Sequence, residues 1–299
     1  MGLTPSVWRI LFLLPVCALL PWRAAQAQFE TTGAPFVPTL QGVIDHMLNL
    51  AAVNANDYLI DLGSGDGRVV IEAATKRGAR GLGVEIDVNL VFAANEEARR
   101  RGLASRVLFV RADLFKADIS KASVLTLYLS RPMNLQLRPR LLTELRPGTR
   151  VVAHDFDMGA WKPDMRLEIA IPDKPYGLPV SQIYLWHVPA EVAGKWRWEL
   201  TVGGKRRVYE ARVDQTFQEI SGEMMVDGGG ATSRNLKLRG DLLDFTLVHE
   251  LSGQLITHEF SGRVEGERAV GRVRISGGGE IATADWIAAR VERGKMRFE

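Results

Sequence analysis

The chain has one cysteine, Cys17. It lies inside an amino-terminal apolar run expected to be removed, so the mature chain would hold no cysteine. Disulfides and thiol chemistry are thereby excluded. Val16 stands before Cys17 where a lipid-anchoring site needs a small residue, so Cys17 reads as an apolar filler. Long apolar stretches are missing too. Ile10 to Leu20 is an 11-residue run, whereas a bilayer-spanning helix needs about 20 apolar residues. No transmembrane segment is expected in the mature chain. Long basic runs are also lacking. Lys205-Arg206-Arg207 is short and reads as a solvated turn, and the net charge is only +3. Losing Arg9 and Arg23 with the leader brings it near neutral, so no nucleic-acid partner is expected.

At 46% hydrophobic and 24% charged residues, the composition is that of a globular protein. Residues 1–27 have the layout of a signal peptide: Arg9, the apolar run, then Ala25-Gln26-Ala27 as a small-x-small cleavage site. Cleavage after Ala27 would leave Gln28 first and place the protein in the periplasm. An uncleaved chain would be cytoplasmic or membrane-tethered.

Two textures follow. Residues 39–188 alternate helical and strand-like patterns, which predicts an α/β sheet. Thr39 is placed to cap a helix running to about Ala52. Strands are expected at 58–62, 81–86, 107–110, 123–129 and 150–153, with 166–171 and 182–187 as a closing antiparallel pair. Helices are expected over 69–76, 89–101 (capped by Asp87) and 135–145. That makes a Rossmann-like sheet of seven strands. The resulting division is 28–189 for this domain, 190–194 for a linker and 195–299 for a smaller all-β domain. In the last part, strand-like runs at 196–202, 208–213, 236–238, 242–248, 254–260, 269–275 and 284–291 alternate with short turns. Ile220 to Met224 and Phe260 to Val264 read as such glycine-containing turns. A meander closed into a lipocalin-like barrel is expected, because closure removes exposed edges.

The loop Gly63-Ser64-Gly65-Asp66-Gly67 joins the first strand to a helix. Glycines let backbone approach a ligand closely, and ligands of open α/β sheets bind where the strand order reverses. A dinucleotide fingerprint wants its third small residue three places after the second. Arg68 stands there, and the glycine comes one early. Asp61 opens the motif, and a carboxylate suits an ammonium or sulfonium better than a phosphate. Glu85, 20 residues after Gly65, ends a strand where an acid can accept from both ribose hydroxyls. Asp87 reads only as a helix cap.

The pattern Asp61-x-Gly63-x-Gly65-x-Gly67 is similar to the first motif of the class I methyltransferases that use S-adenosylmethionine (SAM). The resemblance implies SAM as cofactor, held by Pro38, Asp61, Gly63, Ser64, Gly65, Asp66, Glu85 and Asp113, with Asp113 at the adenine edge. Phe36-Val37-Pro38-Thr39, Asp61 to Val70, Tyr128-Leu129-Ser130 and Leu137-Arg138-Pro139 further resemble a lysine methyltransferase group that includes the enzyme acting on the ATP-synthase c-ring protein. The resemblance covers about residues 35–165. The Asn/Asp-Pro-Pro-Tyr/Phe motif of base and glutamine methylases is absent, and Tyr128 to Pro132 stands in its place.

These features predict methyl transfer, with a deprotonated protein lysine as acceptor. Tyr128, Ser130, Asp155 and Phe156 are the candidate catalytic residues. His154 and Trp161 are further candidates for lining the same space, and no general base is assigned. No metal site stands out. Two alternatives remain open on sequence grounds: an exported, non-enzymatic ligand-binding protein that keeps the fold, and a methyltransferase acting on oxygen or nitrogen of a small molecule. The oligomeric state is not encoded in any motif.

Overall fold

The computed structural model describes residues 36–298 except 173, 175, 176, 278 and 279. The expected signal peptide, its cleavage site and Cys17 lie outside the described residues. Among the described residues, no helix is long and apolar enough to cross a membrane.

Strand β1 (Tyr58–Leu62) is followed by β2 (Arg80–Glu85), β3 (Val107–Arg111), β4 (Val124–Leu127), β5 (Arg150–His154), β6 (Met165–Ala170) and β7 (Val180–His187). They form one sheet in the order β3-β2-β1-β4-β5-β7-β6. The strands β1 to β5 are parallel, and β7 runs antiparallel to both neighbours. The order reverses beside β1, so the carboxyl ends of β1 and β4 border a crevice. β4 is a four-residue run with every side chain buried, as expected for a strand covered on both faces.

Helices α1 (Gln41–Leu50), α2 (Arg68–Arg77) and α3 (Val88–Arg100) cover one face. Val43, Val69, Val70 and Ala94 pack there with Leu59, Phe109, Val124 and Val152. Helix α4 (Arg131–Glu144) covers the other through Leu137, Leu141 and Leu142. Asp87 caps α3 by accepting from the Asn89 amide at 2.7 Å. Thr39 does not cap α1. Leu40 holds that position without a side-chain bond, and the Thr39 carbonyl instead accepts from Arg68 Nη1 at 3.0 Å. Helix α4 begins four residues earlier than its periodicity indicates. Pro132 sits in its first turn, where a missing N–H costs nothing.

The second half is a closed antiparallel barrel of eight strands: β8 (Gly194–Val202), β9 (Lys205–Thr216), β10 (Glu219–Val226), β11 (Gly229–Arg239), β12 (Leu242–Leu251), β13 (Gln254–Glu265), β14 (Arg268–Gly277) and β15 (Glu280–Arg293). Each strand pairs with the next, and β15 returns to pair with β8. Residues 220–224, read above as a turn, are the body of β10, and 260–264 belong to β13. Their glycines mark close backbone approach instead. A Cβ on Gly222 would collide with the Arg212 carbonyl oxygen across the ladder. Inside, Trp198, Phe245, Phe260 and Trp286 pack against one another.

The barrel is docked on the sheet domain. Phe217, at the β9–β10 turn, is buried in the α4-side core and stacks on Trp161, with ring centroids 6.3 Å apart. Arg138 of α4 lies 5.4 Å from the Phe217 centroid and donates to the carbonyls of Met158 and Phe298. Residues 188–193 are mostly buried. The Gln215 side chain accepts from the amides of Val192 and Ala193 and donates to the carbonyls of Ala190 and Phe217.

Candidate functional site

The glycine loop leaves β1 at the crevice. The amides of Gly63 and Ser64 both donate to the Val84 carbonyl, at 2.8 and 3.0 Å, which ties the loop to β2. Gly67 has φ 81°, and a Cβ there would sit 2.6 Å from the Phe109 ring. Only glycine fits, which brings α2 hard against β3. Glu85 closes the far side. Its Oε2 accepts from the Gly65 amide at 2.9 Å, and its Oε1 accepts from Ile86 and Asp87. One carboxylate thus holds both walls of the cradle.

Asp61 faces Thr126 in the β1–β4 register, and the Thr126 hydroxyl donates to its Oδ1 at 2.7 Å. Burial pushes Asp61 up to about 7; the Thr126 bond pulls against this, while the charges of Glu85 and Asp66 add to it. The result is a buried acid in need of a cation. Thr126 escaped the sequence reading, although a polar residue inside an otherwise apolar buried strand is a usable signal.

Asp66 turns aside to pair with Arg68 at 2.6 Å, and this arginine also holds Thr39. It thereby straps the segment beginning near Pro38 to the glycine loop. The Ser64 side chain is buried and points back toward Gly83, so its contribution is through backbone. Asp113 follows β3, is partly exposed, and accepts from the Phe115 amide at 2.9 Å.

The carboxyl ends of β4 and β5 carry a second cluster. The rings of Tyr128 and His154 stack with centroids 3.9 Å apart, and Phe156 continues the stack at 6.4 Å. His154 is buried, with Nε2 3.0 Å from Ser181 Oγ and 3.4 Å from Asp155 Oδ2. Burial holds its imidazole well below the usual value, so it is neutral at pH 7; Asp155 opposes this and Lys174 reinforces it. Asp155 has φ 60°, a conformation rare outside glycine. Its Oδ1 accepts from Gln182 N at 2.9 Å, and its Oδ2 from Lys174 Nζ at 2.7 Å. Ser130 precedes α4 without a capping bond. Asn134 of that helix donates to the Phe156 carbonyl at 2.9 Å and fixes the turn after β5. Trp161 lies apart from this cluster; it is wholly buried against Trp186 and Phe217. Lys174 and Ser181 are members that no sequence signal announced.

The cradle suits a cofactor that carries positive charge. A diphosphate would meet the carboxylates of Asp61, Asp66 and Glu85, and the nearby Arg68 is already engaged. An ammonium beside Asp61 and a ribose beside Glu85 fit the same groups. A sheet of this order with such a cradle defines the class of SAM-dependent methyltransferases. Among the described residues, no cluster of three or more potential metal ligands occurs.

Comparison with known proteins agrees. A family model described as the ANTKMT methyltransferase domain matches residues 61–165. A protein-lysine N-methyltransferase of Saccharolobus islandicus is 40% identical over 130 residues, 43% of this chain and 81% of that one. The human lysine N-methyltransferase named for the ATP synthase c-ring protein is 35% identical, and the match spans 44% of this chain and 55% of that enzyme. A crystal structure described as an RNA methyltransferase from Salinibacter ruber with S-adenosyl-L-homocysteine is 50% identical, covering 52% of this chain and 96% of that one at a TM-score of 0.48. The chain therefore belongs to the SAM-dependent methyltransferase family represented by these lysine methyltransferases. The chain spans little more than half of the human relative, and the family model ends before the barrel begins.

Proposed function

We propose that this methyltransferase acts on the Nζ of a protein lysine, entering beside Tyr128 and Phe156. The observation that carries the reading is the aromatic and acidic floor at the ends of β4 and β5. An aromatic face attracts a cation, and an apolar surround then favours loss of its proton. Names of similar proteins support the same acceptor.

SAM would supply an already activated methyl group. In this reading Asp61 receives the amino end of the cofactor, Glu85 its ribose and Asp113 its adenine edge, while Gly63, Ser64 and Gly65 border it through backbone. Pro38 and the segment after it close the cradle, with Asp66 acting indirectly through Arg68. Tyr128, Phe156 and Asp155 orient the amine, and Ser130 edges the same opening. The protein's main task is alignment of the nucleophile, which by itself can supply about 7–11 kcal/mol of a barrier.

The test is methyl-labelled SAM with the purified chain and a fractionated lysate, followed by amino-acid analysis. Label in methylated lysine of protein is expected. Label confined to RNA or to small molecules would overturn the lysine reading while leaving methyl transfer intact. We further propose export with cleavage after Ala27, the barrel serving as a docking module for the acceptor. Amino-terminal sequencing of the mature form checks the cleavage, and an intact Met1 would sink it.

A further inference from the structure

The acceptor floor already holds an amine of the chain itself. Lys174 lies before β7, with only 7% of its side chain exposed. Its Nζ donates to Asp155 Oδ2 at 2.7 Å and to the Val180 carbonyl at 2.8 Å. Asp155 in turn approaches His154, whose ring lies on Tyr128. The four side chains are contiguous, from the amine to the residue that follows β4 beside the cofactor crevice. Thr126, the partner of Asp61, is two residues back along the chain. Buried ion pairs rarely stabilise a fold by themselves, because desolvation offsets the attraction. This one is also built on a strained residue, since Asp155 keeps φ 60° while bonding Gln182 through both backbone and side chain. Strain of this kind collects at functional sites. An acid and a carbonyl to fix an ammonium, flanked by aromatic rings, are the groups an acceptor lysine requires.

We propose that Lys174 is a methylation site of the protein's own methyltransferase centre, modified in cis. The inference rests on the reading of this floor as the lysine-acceptor site. The Nζ proton passes to the Asp155 carboxylate. The freed lone pair forms the new N–CH3 bond as the cofactor's S–CH3 bond breaks, and that bonding pair returns to sulfur, leaving a neutral thioether. Methyl-lysine keeps its charge and can still pair with Asp155.

The experiment uses the full chain, with intact mass and peptide mapping before and after incubation with SAM and no added acceptor. Methyl increments at Lys174 are expected, already present in part on the protein as purified. Their rate constant should not change on dilution. Lys174→Arg should lose the increment while binding SAM with unchanged affinity by calorimetry. An unmodified Lys174 in a chain that binds SAM and methylates an added protein overturns the inference and spares the acceptor reading. A rate that rises with protein concentration overturns modification in cis. Failure to bind SAM would instead strike the cofactor site itself, and the inference with it.

Discussion

At the scale of single residues, Asp61 is the most exacting group in the cradle. Its pKa rises from 3.8 to about 7 on folding. Between those values the folded chain keeps a proton that the unfolded chain has lost. This group therefore lowers stability as pH climbs through that window, and its effect levels off above about 7. A cationic cofactor reverses the balance, because it selects the carboxylate. SAM affinity is expected to rise as pH passes from about 6 to 8, with proton release at the lower end. Calorimetry in two buffers of unlike ionisation heat measures this, and flat affinity with no buffer dependence would refute it. Asp61→Asn should weaken SAM binding about ten- to a hundredfold, the worth of a hydrogen bond to a charged group. The apo protein should unfold no more easily, since a buried charge has gone. Gly67→Ala meets both a left-handed backbone and the Phe109 ring. It should cost about 1–3 kcal/mol in urea unfolding; an unchanged midpoint would show that the α2–β3 contact is slack.

Among elements, the stretch between β5 and β6 is the informative one. It contains no helix, and Trp161 together with the barrel's Phe217 fills the sheet face there. Phe217→Ala should cost about 3–5 kcal/mol, as for other buried phenylalanines. It should also speed amide exchange across 156–163, the segment leading from Phe156 past Trp161. Protection there equal to wild type would mean that the barrel does not brace the acceptor floor. The sheet was largely legible beforehand: Tyr58 to Leu62 is a short apolar run with one acid, and Val88 to Arg100 carries its cap in Asp87. The acceptor floor was legible only in part. Tyr128 and Phe156 could be placed by following strand ends, whereas Lys174 and Ser181 reach the site through the β5–β7 pairing, which has no local signature. The turn reading of 220–224 failed because a glycine in a barrel strand can answer to its cross-strand neighbour rather than to a bend.

For the molecule as a whole, the two halves are fastened rather than tethered. Gln215 satisfies four backbone groups around the connection, and Phe217 is shared with the sheet core. One calorimetric unfolding transition is therefore expected. The paired substitution Gln215→Ala with Phe217→Ala should split it into two, and two resolved transitions in the unmutated chain would contradict the tight docking. This coupling is a tertiary property, and composition around 188–194 suggested only a linker. The closed barrel has a further consequence in time. Its seam joins β8 to β15, the first and last of its strands. During synthesis β8 leaves the ribosome long before its partner exists. Until β15 emerges, the nascent cylinder presents two raw edges to whatever else is folding nearby. The half that is best sealed when finished is thus the half most dependent on being finished.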